Sequence, residues 1–521
     1  MRSLQQLILD TTSDGGRALL SLEDAAHGSV LVRGAQFDSR KVTSGDLFVA
    51  LVGASVDGHD FLQRAADAGA SAALVQRDHL TSITTDLPLL VCEDTRAVLG
   101  EIGAILYGRP LDALTLVGIT GTNGKTTTSF ILEALLAAAG KRVGVIGTVN
   151  YRWPGSIIPA PNTTPESLVL QQLAARMVTD DVDTLVMEVS SHGLATHRLR
   201  GVAFDVAIWT NLTQDHLDFH GSMEAYREAK ERLFFEHLRE DGLAIINVDD
   251  AAGANLAARL QSKRAGLRVL TYALGDEGRP DAFLLEASET LEGIAFHANS
   301  KRIGRLRSPM LGSFNMANTL AAALVAAHLA EPGASSLEDV LQEGLDNLGG
   351  VPGRLERVNP GEQPAVFVDY AHTPDALERA LSALSPHCEG TLHAVFGCGG
   401  DRDRGKRPLM GEVAARIADR LMVTSDNPRS EDPGSIMDAV FEGIPAQMSS
   451  ATAREVSRAA AIQAVILGAE REDVILIAGK GHETYQELAT GRIDFDDREH
   501  ARAALAERAR QTSPQGGEGE R

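Results

Sequence analysis

The chain has 521 residues, 44% hydrophobic and 23% charged, the composition of a globular protein with about three domains at roughly 100–200 residues each. Its formal charge of −22 excludes a sequence-independent nucleic-acid binder, which needs basic surface, so any anion site must gather its basic residues locally. Cys92, Cys388 and Cys398 are odd in number and lack CxxC spacing, which excludes a disulfide framework and makes a reducing cytoplasm the expected compartment.

The opening MRSLQQLILDTTSDGG is interrupted by Asp10 and does not read as a signal peptide. No apolar run reaches the roughly 18 residues that a transmembrane helix needs. GSVLVRGAQFDSRKVTSGDLFVAL then reads as strands broken by turns, and HDFLQRAADAGASAALV as helix, glycine turn and strand. YGRPLDAL, punctuated by Pro110, reads as a linker. From Thr115 apolar strands alternate with helices: LTLVGIT, RVGVIGT, TLVMEVSS, VAIWTNL and GLAIINVDD are the strands. Glycines cluster again at DNLGGVPGRLERV, and a second α/β series follows through AVFVDYAHTPDAL, TLHAVFGCGGDRD, ADRLMVTSDNPR and DVILIAGKGHE. The expected fold is α/β in three domains. A small mixed α/β domain covers 1–109, a central doubly wound parallel sheet with a phosphate loop covers 110–349, and a Rossmann-like α/β domain covers 350–521, with 511–521 a disordered polar tail.

LTLVGITGTNGKTTTSF is the sharpest local signal. A strand delivers a glycine-rich turn straight into a helix, so backbone N–H groups can cradle phosphate oxygens with the helix dipole behind them. In that arrangement Lys125 reaches the terminal phosphates and the Thr126 hydroxyl binds Mg²⁺. The spacing departs from the standard phosphate loop, which asks for glycine at 119, where this chain has Ile119.

Glu188 ends the strand TLVMEVSS, at the edge where open parallel sheets place ligands, and a carboxylate there can hold a magnesium that bridges phosphates. Taken alone, such a glutamate is more often a solvated cap. TNLTQDHLDFHG crowds Asp215, His216, Asp218 and His220, and alone reads equally as a polar loop. Lys230 lies in the helix SMEAYREAKERLFFEHL, where a spacing of four sets it on one stripe with Tyr226 and Phe234. Most lysines on such a stripe only lay their methylenes along apolar surface.

In chain order the motifs GTNGKTTT, NTTPES, MEVSSHGL, TNLTQDHLDFHG, EAYREAKERLF, LGSFNMANTLAA, VPGRLE, VDYAHTPDAL, GCGGDRDRGKRPLM, SDNPRSEDP and AGKGHE resemble the Mur ligases, and among them the members that add meso-diaminopimelate. The resemblance runs from FDSR to GKGHE. It implies a first domain for the UDP end of a UDP-N-acetylmuramoyl-dipeptide, a central domain for ATP and a C-terminal domain for the incoming amino acid. The implied reaction has two steps. The substrate carboxylate attacks the γ-phosphate to give an acyl phosphate; the amine of the incoming amino acid then attacks that carbonyl and expels phosphate.

The resemblance also implies roles. Gly121, Thr122, Asn123, Gly124, Lys125, Thr126 and Thr127 match the ATP loop, and Arg354, Asp369 and His372 fall in motifs near adenosine. Thr126, Glu188 and His216 match magnesium ligands, and Lys230 matches a lysine carried as a carbamate, an anion that can serve a metal. Ser39, Asn162, Thr163, Thr164, Ser190 and Arg198 match nucleotide-sugar contacts. Thr196 departs, standing where relatives usually have glutamine. Arg402, Asp426, Asn427, Pro428, Arg429, Gly479 and Glu483 match the diaminopimelate pocket. There a planar guanidinium at Arg429 suits the distal carboxylate that lysine lacks, and Glu483 suits the distal ammonium. A lysine-adding ligase is the nearest rival and is separated only at this loop. Folate-extending ligases usually carry GTNGKGS instead of GTNGKTTT, and a non-catalytic relic would have lost Lys125, Glu188 or Lys230. A monomer is expected, with no nucleic-acid or membrane partner.

Overall fold

A computed structural model of the protein describes residues 1–12, 18–53, 56–331, 336–360, 362 and 364–512. The chain forms two compact units, Met1–Ala282 with Ala321–Pro332, and Phe283–Leu320 with Gly333–Arg521. No helix among the described residues is long and apolar enough to cross a membrane. Gln511 and Thr512 close the last helix, Asp497–Thr512, and the rest of the expected tail lies outside the described residues.

Among its described residues the first unit holds a short antiparallel pair, Arg2–Ser3 with Leu31–Val32, and two larger sheets. The N-terminal one runs Ser21–Leu22, Leu89–Cys92, Ala72–Gln76, Asp46–Val49, Gly34–Gln36, with only the first strand antiparallel. Its inner strands are buried along their length because both faces are covered, which is why they read as unbroken apolar runs. The helix Thr95–Tyr107, capped by Asp94, packs on the helix Ser167–Thr179 of the central region.

The central sheet runs Ser156–Pro159, Asn150–Trp153, Val143–Ile146, Thr184–Glu188, Thr115–Thr120, Phe204–Trp209, Leu238–Asn247, Arg268–Tyr272. The last six strands are parallel, as alternating strands and helices require, and an antiparallel hairpin through Pro154 and Gly155 adds the edge. The strand order within the sheet places Thr115–Thr120 between Thr184–Glu188 and Phe204–Trp209. The C-terminal ends of all three strands therefore converge on the glycine-rich turn.

The second unit has a six-stranded sheet in the order Glu356–Arg357, Ala365–Asp369, Val474–Ala478, Leu392–Phe396, Arg420–Thr424, Thr452–Glu455, parallel except at the first pair. Alternation splits its core: Ala365 and Phe367 join one apolar layer, Val366 and Val368 the other. A hairpin, Tyr485–Leu488 with Gly491–Asp494, follows the central strand. This unit also contains a three-stranded antiparallel sheet, Leu284–Thr290, Gly293–Ala298 and Arg305–Ser308, which sequence patterning had not singled out.

Candidate functional site

The glycine-rich turn is built by hydrogen bonds from the neighbouring strand end. Asn211 accepts from the Thr122 and Asn123 N–H groups through its backbone and side-chain oxygens, 2.9 Å each, and the Thr210 hydroxyl donates to the Asn123 carbonyl at 2.6 Å. Gly121 sits at φ 152°, and a Cβ there would lie 1.9 Å from the Thr210 hydroxyl oxygen. Gly121→Ala is thus expected to displace the loop and lower ATP-dependent phosphate release about 5- to 100-fold, given that overpacking costs ~1–3 kcal/mol. Gly275→Ala, with open space around it, should leave the rate unchanged in the same phosphate-release assay.

Lys125 opens the helix Lys125–Ala138 and donates to the Gly121 and Thr122 carbonyls, both at 2.8 Å. Glu188, 1% exposed, accepts from the Thr126 hydroxyl at 2.9 Å. Thr148, which sequence reading passed over, adds its N–H at 3.0 Å and its hydroxyl at 2.8 Å to the same carboxylate. Its signal was positional: it follows Val143–Ile146, the parallel neighbour of Glu188's strand.

Lys230 is 1% exposed, with Tyr226 and Phe234 buried on its stripe as the spacing predicts. Its Nζ donates to the Gly121 carbonyl at 2.8 Å and lies 4.5 Å from the Tyr226 ring centre. Burial, then the nearby Lys125 charge, lowers its pKa well below the ordinary lysine value, which favours the neutral amine. Its helix, Met223–Phe235, ends before the expected EHL segment.

The segment that read as a polar loop forms a short helix, Leu217–His220, with His216 in the left-handed conformation before it. His192, not foreseen, packs edge-on to His216 at 4.8 Å, and its pKa is pushed down to about 4 by burial and by His216 and His220. Burial also lowers His216, against the opposing pull of Asp215.

The candidate nucleotide-sugar residues of the central region lie around Glu188's strand end. Thr164 donates to the Glu188 carbonyl and accepts from the Ser190 N–H, 2.9 Å each, and the Thr163 and Thr148 hydroxyls are 3.0 Å apart. Arg198 donates to the Thr164 carbonyl at 2.9 Å and pairs with Glu166 at 3.2 Å. Glu166 also pairs with Arg96 at 2.8 Å, tying this cluster to the N-terminal sheet region. Asn162 is exposed, with its carbonyl held by Tyr151 at 2.5 Å, while Ser39 is buried in the N-terminal region. The departing Thr196 turns its hydroxyl onto the His192 carbonyl at 2.7 Å.

In the second unit, Arg354, Asp369 and His372 gather around Tyr370. The Arg354 guanidinium lies 4.8 Å from the Tyr370 ring centre and His372 at 4.7 Å. Asp369 accepts from the Leu355 N–H at 2.7 Å, and burial raises its carboxyl.

The pocket residues meet at the ends of Arg420–Thr424 and Val474–Ala478. Lys480, fully buried and not foreseen, donates at 3.0 Å to both Asn427 Oδ1 and Glu483 Oε2. Asn427 Nδ2 donates to the same Glu483 oxygen at 2.9 Å, leaving Oε1 without a partner among the described residues. Asp426 lies 3.8 Å from Lys480, and burial raises its carboxyl. Beneath them Arg458 makes a fully buried bidentate pair with Asp497, both bonds 2.7 Å, and donates to the Ala478 carbonyl at 3.0 Å, just before Gly479. Arg429 has φ 51°. Gly400 N–H donates to the Asn427 carbonyl at 2.9 Å, and a Cβ at 400 would lie 1.9 Å from the Pro428 carbonyl oxygen, so GCGG and DNPR nest only with glycine. Arg402 is exposed at the rim, its guanidinium on the Asp401 carbonyl at 3.1 Å.

A glycine-rich loop at the switch point of a doubly wound sheet, with a second α/β unit that gathers charged side chains at its strand ends, is the arrangement of a nucleotide-using α/β enzyme. The chain belongs to the Mur ligase family: residues 32–104 match its catalytic domain, 119–326 the Mur ligase middle domain and 353–481 the glutamate ligase domain. These fall within the segments 1–109, 110–349 and 350–521 respectively. The chain is 46% identical over 484 residues to the UDP-N-acetylmuramoyl-L-alanyl-D-glutamate–2,6-diaminopimelate ligase of Synechococcus elongatus, covering 92% of this chain and 94% of that one. A solved structure of a ligase of the same name is similar at TM-score 0.65 and 34% identity, over 97% of this chain and 99% of that one. A MurF ligase from Thermotoga maritima, solved with ADP, shares the fold at TM-score 0.62 and 21% identity, over 93% and 99%.

Proposed function

We propose that the chain joins meso-diaminopimelate to UDP-N-acetylmuramoyl-L-alanyl-D-glutamate at the expense of ATP, in the cytoplasm, as a step in building peptidoglycan precursors. The similarity to diaminopimelate ligases along almost the whole chain supports the reaction, and the pocket supports the amino acid. Segment 1–109 takes the UDP end, with Ser39; Asn162, Thr163, Thr164, Ser190 and Arg198 take the diphosphate and sugar, as hydroxyls and a guanidinium suit. Segment 110–349 takes the triphosphate through Gly121 to Thr127, and segment 350–521 takes adenosine, through Arg354, Asp369 and His372, and the diamino acid. The protein acts as a monomer.

The oxygen donors present fit a hard cation: the Thr126 hydroxyl and the buried Glu188 carboxylate already touch. His216 and Lys230, the latter as its carbamate, complete the residues that would hold Mg²⁺. The ion supplies the charge neutralisation that lets an anionic carboxylate approach an anionic triphosphate. Lys125 brings a further positive charge to that meeting of anions. Burial lowers the Lys230 pKa and so favours the neutral amine, the form that adds to carbon dioxide with release of one proton as the carbamate forms.

The carrying observation is a pair of opposite charges linked through Asn427, whose Nδ2 donates to Glu483 Oε2 and whose Oδ1 accepts from the N–H of Glu487, the partner of the Arg429 guanidinium. Meso-diaminopimelate presents a carboxylate and an ammonium at its far end to meet them. Phosphate release from ATP is the test. It is expected only when the UDP-sugar dipeptide is present, with sustained turnover only when meso-diaminopimelate is added. Release independent of the UDP-sugar dipeptide, or none, would overturn the reading.

A further inference from the structure

Arg429 is gripped by one residue from a different part of the chain. Its N–H donates to the Glu487 carbonyl at 3.0 Å, and its Nε donates to Glu487 Oε2, also at 3.0 Å. Its Nη1 donates to the Gly400 carbonyl at 2.7 Å. Nη2 has no partner among the described residues. Glu487 is fixed in turn: its own N–H donates to Asn427 Oδ1 at 2.9 Å, and Arg492 stands 3.7 Å from its other carboxylate oxygen. It lies on the hairpin strand Tyr485–Leu488, and the neighbouring Gln486 side chain donates to the Asp426 carbonyl at 2.6 Å.

A guanidinium offers two forks to a carboxylate, Nε with Nη2 and Nη1 with Nη2. Glu487 takes the Nε side and the Gly400 carbonyl takes one of the two Nη1 hydrogens, so Nη2 and the second Nη1 hydrogen are left for a substrate carboxylate. Without the Glu487 carboxylate the long side chain would lose its Nε bond and sample several rotamers, while the main-chain bond from the Arg429 N–H to the residue 487 carbonyl would remain. We propose that Glu487 is a positioning residue for amino-acid selection, holding Arg429 by its Nε side so that the Nη1–Nη2 fork faces the distal carboxylate of the incoming diamino acid. Neither the sequence motifs nor the family resemblance singles out Glu487. The inference rests on the reading of Arg429 as the group that meets that carboxylate.

The test compares Glu487→Gln, Glu487→Leu, Arg429→Ala and the Arg429→Ala/Glu487→Leu double variant in the full-length enzyme, by phosphate release with saturating UDP-sugar dipeptide. Glutamine keeps an acceptor for Nε, so Glu487→Gln should hold the KM for meso-diaminopimelate within about threefold. Glu487→Leu should raise it about tenfold, with kcat and the KM for ATP within about twofold, the pattern of an oriented hydrogen bond lost without damage elsewhere. The double variant should match Arg429→Ala alone, because Glu487 acts only through Arg429. An unchanged or lowered KM in Glu487→Leu, or a double variant clearly worse than Arg429→Ala, would overturn the inference. If Arg429→Ala itself leaves the KM unchanged, the Arg429 reading fails instead, whatever Glu487 does.

Discussion

Arg429→Ala is expected to raise the KM for meso-diaminopimelate about 100-fold while leaving the KM values for ATP and the UDP-sugar dipeptide within about twofold. A charge-assisted hydrogen bond contributes roughly 1.5–3 kcal/mol, and every 1.4 kcal/mol is tenfold in affinity. The outward fork of Arg429 can make two such bonds to one carboxylate, so about 100-fold is a conservative loss. The fold should be little affected, because Arg429 is partly exposed and its partner Glu487 keeps Arg492 nearby and access to water. L-Lysine has no distal carboxylate, so its poor use should improve or stay level in the same variant. Initial-rate kinetics with each amino acid checks both halves. A general fall in kcat with all KM values unchanged would show that Arg429 supports structure rather than recognition.

Lys230→Met is expected to lower kcat on the order of 1000-fold, the upper range for removing one preorganised electrostatic group from an active site. Methionine matches the lysine stem in length and apolar character, and the stem is what the surrounding pocket packs against. The Gly121 carbonyl loses one donor but keeps Lys125 at 2.8 Å. The melting temperature should therefore fall by only a few degrees, in line with about 1 kcal/mol for one hydrogen bond. Lys230→Ala opens a cavity instead, and a small carboxylate such as acetate can enter it and supply the two oxygens of the proposed carbamate. Partial recovery of phosphate release by acetate in Lys230→Ala, but not in Lys230→Met, is the expected signature. Equal activity of Lys230→Met and the unaltered enzyme would remove Lys230 from the reaction.

Much of this was legible from local pattern. Apolar runs bounded by turns marked the strands, and a parallel sheet follows from strands alternating with helices. Glu188 at a strand end and Lys230 between Tyr226 and Phe234 were located by periodicity alone. What periodicity could not supply was which distant residue each would meet. Lys230 donates to a carbonyl 109 positions away, and Arg429 to a carboxylate 58 positions away. Thr148 and Glu166 escaped notice because neither carries a distinctive motif; their roles come from the strand or helix beside which the fold sets them. Lys480 reads as one more polar residue in GKGHE, yet the fold buries it completely and uses it to fix Asn427 and Glu483. The three-stranded sheet at 284–308 was missed because its edge strand, Leu284–Thr290, is mostly exposed on both faces and gives no clean alternation.

The choice of amino acid carries the account, since a lysine-adding ligase would share every other feature of the loop and the proposed metal-binding residues. The most direct measurement is kcat/KM for meso-diaminopimelate and for L-lysine, each offered alone with ATP and UDP-N-acetylmuramoyl-L-alanyl-D-glutamate. The opposite charges of Arg429 and Glu483 predict a preference for meso-diaminopimelate of at least about 100-fold, the discrimination expected where a site built to bind a charged group meets a substrate lacking it. Equal use of the two, or a preference for L-lysine, would contradict it.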